Sequence, residues 1–375
     1  MSEIKVNSIK GVGASAAAIT VNNTDGTCTA NITNRSNRNL VINGAMNICQ
    51  RGTTQNTINS NGYYVADRFN IIMVNIGSFR TNLFQSTQSP DGFNNSLGVS
   101  IGTGTAGAIA SDERVSLEQR IESQNLQELS FGSSSAKSFT LSFYVKSTRA
   151  GQYGINMRQH DSGKDYNEKF DISSANTWEK KTITVSGNTG DTFADDSGIG
   201  LWFRIMLRAG SDSVGNVNYQ SWGSSDADKA PTGQQTTWGT DANDQFYLTG
   251  VQLEVGSVAT DFEHRSFHDE LLKCYRYYNK KNPSYGRIGH MYTSSNIAFT
   301  MDLPCEMRAS PTITNEGGLY FARQNGVALG LTGIGHGSTV TTTARIALDV
   351  NSNGAAGENA FIWAGNTFYI LDSEL

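Results

Sequence analysis

The sequence has few charged residues, few prolines and few cysteines. Of its 375 residues, 17% are charged, 5 are proline and 4 are cysteine, while 39 are glycine. The formal net charge of -5 leaves no basic excess to neutralise phosphate groups, which argues against a nucleic-acid partner. Cys28, Cys49, Cys274 and Cys305 are far apart in the sequence, so we expect free thiols rather than a zinc or redox motif.

Long apolar runs are missing as well. No apolar stretch of the sequence is long enough to span a bilayer, and the first residues show no charged start followed by an apolar core. We therefore expect neither membrane insertion nor a secretory signal. The polar residues are mainly Ser, Thr and Asn, which together with frequent glycine suits a β-rich protein with many turns.

Alternating apolar residues predict β-strands through the middle of the chain. In residues 138–145 and 201–208 every second residue is apolar, as a half-buried strand requires. The apolar faces of these two strands consist of Phe139, Leu141, Phe143 and Val145, and of Leu201, Phe203, Ile205 and Leu207. Clusters of Gly, Asn, Asp and Ser separate the strands, so we predict an all-β protein built on an antiparallel, jelly-roll-like β-sandwich.

One amphipathic helix is predicted near residue 270. Ser266 followed by Asp269 is a variant of the capping box, in which the hydroxyl accepts from a free amide of the first turn. Apolar residues recur at helical spacing from Phe267 to Tyr278, basic residues lie at the C-terminal end, and Pro283 stops the helix. We expect this helix to pack two β-domains together; a helix shared at a trimer axis is the alternative.

These patterns divide the chain into four regions. Residues 1–38 contain too few apolar side chains to bury a core within one chain, because ordering costs roughly 1 kcal/mol or more per residue. Either partners order this segment or it is disordered. Residues 39–264 form the main β-sandwich and residues 265–282 the linking helix. In residues 283–375 the alternating stretch 296–304 predicts a smaller C-terminal β-sandwich that completes its packing against other subunits.

The strand, turn and helix of residues 250–278 are the most informative stretch of the sequence. They resemble the hinge between two β-domains in tail-fibre and receptor-binding proteins of bacteriophages, especially the marine, cyanophage-type ones. Other segments occur in the order of that family: residues 39–52, 64–69, 119–122, 143–146, 250–254, 306–313 and 372–375. Residues 39–44 are also similar to the opening of jelly-roll carbohydrate-binding modules. The resemblance is best over residues 39 to about 280 and weaker beyond.

This resemblance implies a homotrimeric virion protein of a phage tail, made in the host cytoplasm. It implies that the β-domains recognise a glycan or protein on the host surface, while residues 1–38 dock to a tail or adaptor protein. Weak contacts at each subunit, repeated over several copies per virion, then add up to firm adhesion. Two alternatives stay open: a structural tail, neck or capsid-decoration protein without receptor binding, and a surface-polysaccharide depolymerase.

Two motifs match known ligand sites in spacing but not in context. Residues 102–107 have the glycine spacing of a dinucleotide fingerprint. That site needs a parallel βαβ unit, so in this antiparallel, glycine-rich context we expect a plain loop. His264 and His268 have the spacing of a helical metal pair, yet no third ligand is evident. We expect hydrogen bonds at the domain boundary for both histidines.

Carboxylates give no clearer site. Asp191, Asp195 and Asp196 lie in one loop but lack the alternating ligands of an EF-hand, so we expect a solvated turn. Glycoside hydrolysis needs two carboxylates that face each other across a cleft, and the repeated coils that phage depolymerases usually show are missing from the sequence. We therefore expect no metal, no cofactor and no catalytic residue, and hence a protein that is not an enzyme.

Aromatic residues in a polar stretch are the best candidates for binding. An exposed aromatic ring stacks on the C–H face of a sugar, and a nearby Asp226 or Asn218 accepts from its hydroxyls. We predict a glycan site at Tyr219, Trp222, Trp238 and Asp226, with packing at the end of the sandwich as the equally weighted alternative. The C-terminal region holds a comparable set, for which we favour packing or subunit contacts: Tyr285, His290, Tyr292 and His336.

Overall fold

Three short strands precede the main β-sandwich. A computed structural model of the chain describes residues 6–10, 12, 19–21, 28–30, 36–215, 217–224, 229–235, 237–281, 287–316, 321–324, 327–335, 343–350, 356–357, 359–363 and 368–375. Strands β1 (Ser8–Ile9), β2 (Ile19–Val21) and β3 (Cys28–Ala30) pair antiparallel in that order. Val6 and Ile9 are exposed, so the described part of this segment buries little apolar surface.

Residues 54–255 fold into two antiparallel sheets that face each other. Their strands are β4 (Thr54–Ile58), β5 (Gly62–Tyr63), β6 (Asn70–Val74), β7 (Thr81–Ser86), β8 (Ser96–Ile101), β9 (Arg114–Glu122), β10 (Phe139–Ser147), β11 (Gly151–Gln159), β12 (Lys164–Ile172), β13 (Glu179–Val185), β14 (Ile199–Ala209) and β15 (Gln245–Val255). Short 3-10 helices span Ser123–Leu129 and Ser211–Ser213. The first sheet has the order β13-β10-β15-β8-β7-β4, and the second β12-β11-β14-β9-β6-β5. From β8 to β15 the chain crosses repeatedly between the sheets, as in a jelly roll, which confirms the predicted fold class.

The core of the sandwich comes from the apolar faces that the alternation predicts. Phe139, Leu141 and Phe143 of β10 are fully buried, as are Leu201 and Ile205 of β14 on the facing sheet. Burying one such side chain stabilises a fold by roughly 1.5–3 kcal/mol. The side chains between the buried ones point to the outward faces of the sheets.

The linking helix α1 (Phe267–Tyr275) begins where the sequence predicts. Ser266 is its N-cap, and the Ser266 side chain accepts from the amide of Asp269 at 3.1 Å. The helix ends at Tyr275, which corrects the predicted end near residue 280. Residues 278–281 form a strand instead, because they pair with a strand near residue 370 and this long-range pairing overrides the local helical pattern.

The C-terminal strands close into a barrel beside a small sheet. They are β16 (Tyr278–Lys281), β17 (Arg287–Thr293), β18 (Asn296–Asp302), β19 (Thr312–Glu316), β20 (Phe321–Gln324), β21 (Val327–Gly335), β22 (Thr343–Val350), β23 (Asn359–Trp363) and β24 (Phe368–Asp372). The barrel has the order β17-β18-β22-β21-β20-β23, and the small sheet the order β16-β24-β19. The structure thus has a closed barrel where the sequence predicts a second sandwich. Alternation alone does not distinguish the two, because apolar and polar residues alternate in the strands of both.

Polar contacts fasten the small sheet to the main sandwich. The Gln50 side-chain amide donates to Asp67 Oδ2 at 2.6 Å and to the Tyr278 carbonyl at 2.8 Å. Arg68, fully buried on the sandwich side, forms an ion pair with Glu374, just beyond β24. These contacts join residues 50–68 of the sandwich to residues 278–374 of the small-sheet region, so the sandwich and the small sheet are neighbours.

Candidate functional site

A groove of about 430 Å³ opens on the outward face of the first sheet. Ser89, Pro90, Asp91, Tyr144 and Trp178 line it, and we call it the Trp178 groove. Tyr144 belongs to β10, Trp178 directly precedes β13, and the other three lie in the loop between β7 and β8. Three segments that are distant in the sequence therefore meet at one place.

The alternation of β10 explains why Tyr144 faces this groove. The residues on either side of Tyr144 point into the core, so Tyr144 and Lys146 share the outward face. Pairing of β10 with β13 places Tyr144 opposite Lys180. Two residues further along β10, the same register, continued just beyond β13, brings Lys146 opposite Trp178. The Lys146 ammonium lies 5.6 Å from the centre of the Trp178 ring. Both aromatic residues remain partly accessible to solvent.

A row of aromatic rings supports Trp178 from the neighbouring strands. The Tyr247 ring of β15 lies 6.2 Å from that of Trp178, and the Phe84 ring of β7 lies 5.9 Å from that of Tyr247. Gly98 of β8 makes room for the row, because a Cβ there would come within 2.4 Å of the Phe84 ring. Edge-to-face contacts of this kind fix the orientation of rings. A ligand therefore meets a surface that is already ordered.

Gly250 shapes the groove beneath Tyr144. The pairing of β10 with β15 shifts register between Ser142 and Tyr144, which marks a β-bulge in β15. Gly250 has a φ of 61° there, a conformation that costs glycine little. A Cβ on Gly250 would come within 2.7 Å of the Phe93 ring and 2.9 Å of the Tyr144 ring. The absence of a side chain at this bulge therefore lets the Phe93 and Tyr144 rings pack together, 5.4 Å apart.

Hydrogen bonds hold the loop that forms the polar side of the groove. Ser89 Oγ donates to the Phe93 carbonyl at 2.6 Å, and the Phe93 amide donates to the Pro90 carbonyl at 3.2 Å. Asp91 is exposed within this loop. The groove thus combines the faces of aromatic rings with a carboxylate and a hydroxyl at the edge, which suits a ligand with one apolar face and a polar rim.

Lys146 brings a positive charge beside the aromatic rings. Its ammonium donates to the Gln88 side-chain carbonyl at 2.6 Å and lies 4.7 Å from the centre of the Tyr247 ring. Partial burial lowers the pKa of Lys146, because removal of water disfavours the charged ammonium. On the other side, the Lys180 ammonium lies 5.9 Å from the Tyr144 ring.

Trp238 is fully buried, which corrects the prediction that it offers a ring to a sugar. Its side chain is part of the sandwich core. Arg208 donates to the Trp238 carbonyl at 3.4 Å, and the Gly239 amide donates to Asp244 at 2.9 Å. These bonds fold a polar stretch of sequence back over the sandwich, so the ring within it points inward. The polar composition of this stretch predicts an exposed Trp238 ring, because composition carries no information on long-range contacts.

Tyr219 and Trp222 lie together along the edge of β12 but face different surroundings. Trp222 packs against Phe131 and Tyr166, 5.6 Å and 5.5 Å between ring centres, and its indole donates to the Ser186 carbonyl at 2.7 Å. It therefore packs against the end of the sandwich. Tyr219 is 43% exposed, with the Lys169 ammonium 5.3 Å from its ring. Tyr219 thus remains a surface residue, while the predicted partner Asp226 lies outside the described residues.

The Trp178 groove was missed in the sequence, although part of its signal is there. Tyr144 alternates with buried residues of β10, so an aromatic side chain on the polar face of a strand was visible. The other groove residues come from the loop between β7 and β8 and from Trp178 just before β13, which the sequence does not bring together.

The other motifs occupy structural positions. Residues 102–107 follow β8 and lead to another antiparallel strand, as expected for a loop. His264 precedes α1 and packs its ring against Phe93 and Phe262, whereas His268 is exposed in the first helical turn, so the two do not share a helical face. The Asp196 carboxylate accepts from the Gly198 amide at 2.9 Å, as in a turn.

The second predicted patch is largely outside the described residues. Tyr285 and His336 lie there, and His290 is exposed on β17, which also contains Tyr292.

Within the described ranges, no group of three or more His, Cys, Asp or Glu residues is arranged to hold a metal ion. In that same part of the chain, no helix is long and apolar enough to cross a membrane. Cys49, Cys274 and Cys305 are free thiols, and burial raises the pKa of Cys49 to about 12.

Comparisons with known proteins give similar structures but no family. No family model matches the chain, and a comparison with curated proteins gave no match. The enzymatically active domain of tailspike protein 4 from bacteriophage CBA120 is 11% identical; the match covers 58% of this chain and 21% of that one, with a TM-score of 0.28.

Two carbohydrate-binding domains of other proteins are also similar. The family 11 module of Clostridium thermocellum, in complex with a mixed-linked tetrasaccharide, is 12% identical over 57% of this chain and 99% of that one, with a TM-score of 0.26. The xylan-binding domain CBM22-1 of Paenibacillus barcinonensis Xyn10C is 12% identical over 56% and 93%, with a TM-score of 0.24.

Proposed function

We propose that this chain is a phage virion protein of the tail that binds a glycan of the host surface in the Trp178 groove. The observation that carries the proposal is the pair of partly accessible rings, Tyr144 and Trp178, beside the exposed Asp91. The two rings stack on the C–H faces of sugar residues, while Asp91 and Ser89 bond to hydroxyls at the rim. The assignment to a phage tail rests on the sequence resemblance of residues 39 to about 280.

The proposed mechanism is adhesion without chemistry. Asp91 is the carboxylate among the lining residues, whereas glycoside hydrolysis ordinarily uses two that face each other. One groove per subunit binds weakly. A homotrimer presented in several copies per virion multiplies this weak contact, provided that the grooves reach the same cell surface together. Residues 1–38 are proposed to attach the trimer to a tail or adaptor protein.

Removal of either ring tests the groove. We expect Trp178→Ala and Tyr144→Ala each to lower the affinity for a bound bacterial surface polysaccharide about fivefold or more, because each variant removes a stacking surface worth about 1 kcal/mol or more. A panel of capsular and lipopolysaccharide-derived glycans, measured by affinity electrophoresis and then calorimetry, provides the readout. Thermal unfolding of each variant checks that the fold is kept.

Tyr219→Ala is the matched control, because it removes another exposed aromatic ring from the edge of the second sheet. Unchanged binding in Tyr219→Ala, together with loss in the two groove variants, supports the proposal. Loss in Tyr219→Ala with normal binding in Trp178→Ala places the site elsewhere. A folded wild-type protein that binds none of the glycans rejects glycan attachment and favours a structural role in the virion.

A further inference from the structure

Two lysines beside the Trp178 groove, Lys146 and Lys180, have no carboxylate partner among the described residues, unlike neighbouring basic residues. Lys181, next to Lys180 on β13, pairs with Glu179 at 2.6 Å. Arg149, just after β10, pairs with Asp244 at 2.6 Å. Among the described residues, neither Lys146 nor Lys180 has a carboxylate within ion-pair distance.

Lys146 is the more telling of the two. Its ammonium is partly withdrawn from water, yet its contacts are neutral: the Gln88 amide oxygen and the rings of Tyr247 and Trp178. Ring faces and one amide oxygen are neutral partners, so this partly exposed ammonium keeps a charge with which an anion can pair. An anion that arrives at the groove gains a partly exposed ion pair with this ammonium.

The two ammonium groups flank the stacking surface. Tyr144 and Lys146 are two positions apart on one face of β10, which is about 7 Å along the strand. Lys180 is opposite Tyr144 on β13. A sugar ring on Tyr144 and Trp178 therefore lies between the two positive charges, and a charged substituent of that ring is within reach of a lysine.

We propose that the Trp178 groove selects a chain of acidic sugars, whose rings stack on Tyr144 and Trp178 while their carboxylates pair with Lys146 on one side and Lys180 on the other. The ligand class is thus a polysaccharide that contains uronic or other carboxylated sugars. This inference rests on the function proposed above and narrows it. Asp91 also lines the groove, and its carboxylate accepts from sugar hydroxyls.

A pair of polymers that differ only in charge tests the inference. Polygalacturonate and its fully methyl-esterified form share the same sugar rings, and alginate and hyaluronate extend the carboxylated set. We expect the wild-type protein to bind at least one carboxylated polymer more tightly than its methyl ester, and this preference to shrink with added salt. Dextran sulfate serves as a probe for anions of another chemistry.

Lysine substitutions connect the preference to the groove. Lys146→Met and Lys180→Met keep the apolar stems that cover the rings but remove the charge. Each is expected to lower affinity for the carboxylated polymer about three- to fivefold, as for a partly exposed ion pair, and to leave affinity for the methyl ester unchanged. Lys169→Met is the matched control, because Lys169 also lies over a tyrosine ring, that of Tyr219, outside the groove.

Each outcome separates this inference from the function on which it rests. Equal binding of the acid and the ester, lost in Trp178→Ala but unaffected by Lys146→Met and Lys180→Met, overturns the acidic-sugar inference and leaves glycan binding standing. A preference for dextran sulfate over every carboxylated polymer also overturns it. If no polymer or surface glycan binds to the folded protein, the proposed function fails, and the inference with it.

Discussion

At the scale of single residues, the environment of each aromatic ring decides its role. Trp178 and Trp238 both lie in polar stretches of sequence, but the first lines a groove and the second is fully buried. The sequence predicts the buried faces of the strands well, because a period of two fixes which side chains share a face. It does not predict the direction of a ring in a loop, which depends on contacts such as that of Arg208 with the Trp238 carbonyl.

Trp238 and Tyr219 should therefore behave differently when truncated. We expect Trp238→Ala to lower the free energy of unfolding by about 3–5 kcal/mol, because it leaves a large cavity in the core. Tyr219→Ala should change it by no more than about 0.5 kcal/mol, as for an exposed residue. Urea unfolding followed by circular dichroism measures both. A stable Trp238→Ala variant that fails to bind glycan would contradict our placement of this ring.

At the scale of elements, local signals fix where structure begins and long-range pairing decides where it ends. The cap at Ser266 could be predicted, because the side chain and the amide that donates to it are three residues apart. The end of α1 could not, because Tyr278 and its neighbours pair with β24, about ninety residues later. The bulge at Gly250 is likewise invisible in the sequence, since one glycine among 39 does not announce a register shift.

Gly250 offers a test of how the bulge supports the groove. We expect Gly250→Ala to lower stability by about 1–3 kcal/mol and to weaken glycan binding, because the new Cβ displaces the Phe93 and Tyr144 rings. Gly77→Ala is the control: Gly77 has a φ of 51°, but a Cβ there meets no atom within 4 Å. Like Gly250→Ala, the Gly77→Ala variant places alanine at a positive φ, so it should also lose stability, but it should bind glycan normally. Equal binding by both variants would show that the bulge does not position Tyr144.

At the scale of the whole molecule, the first sheet brings Tyr144 of β10, Trp178 just before β13 and the loop between β7 and β8 together into the groove, with rings of β7 and β15 supporting Trp178. The sequence predicts the sandwich but not the strand order, and strand order determines which outward residues become neighbours. For the same reason, the contact of the sandwich with the small sheet was not foreseen. That contact includes Asp67, whose burial raises its pKa to about 7, against the opposing effects of Arg51 and Gln50.

Asp67 should make stability depend on pH. The ordinary pKa of this carboxyl is 3.8, so between about pH 4 and pH 7 the folded protein holds a proton that the unfolded chain has lost. The stability from this group is therefore greatest at low pH and falls as pH rises to about 7. We expect the free energy of unfolding of Asp67→Asn, relative to that of the wild-type protein, to rise by about 2–3 kcal/mol between roughly pH 5 and pH 8.

Chemical unfolding at a series of pH values measures this effect. Asp212→Asn, which changes an exposed carboxylate, should follow the wild-type profile. A constant difference between Asp67→Asn and the wild-type protein at every pH would contradict a raised pKa at Asp67.

The most direct test of glycan binding at the Trp178 groove is fluorine NMR of protein labelled with fluorinated tryptophan. The chain has 5 tryptophans, and single Trp→Phe variants assign their resonances. During titration with the tightest-binding oligosaccharide, we predict a saturable shift of the Trp178 resonance, while that of buried Trp238 stays in place. Saturable binding that leaves Trp178 unmoved and shifts Trp222, at the far edge beside Tyr219, would contradict the account.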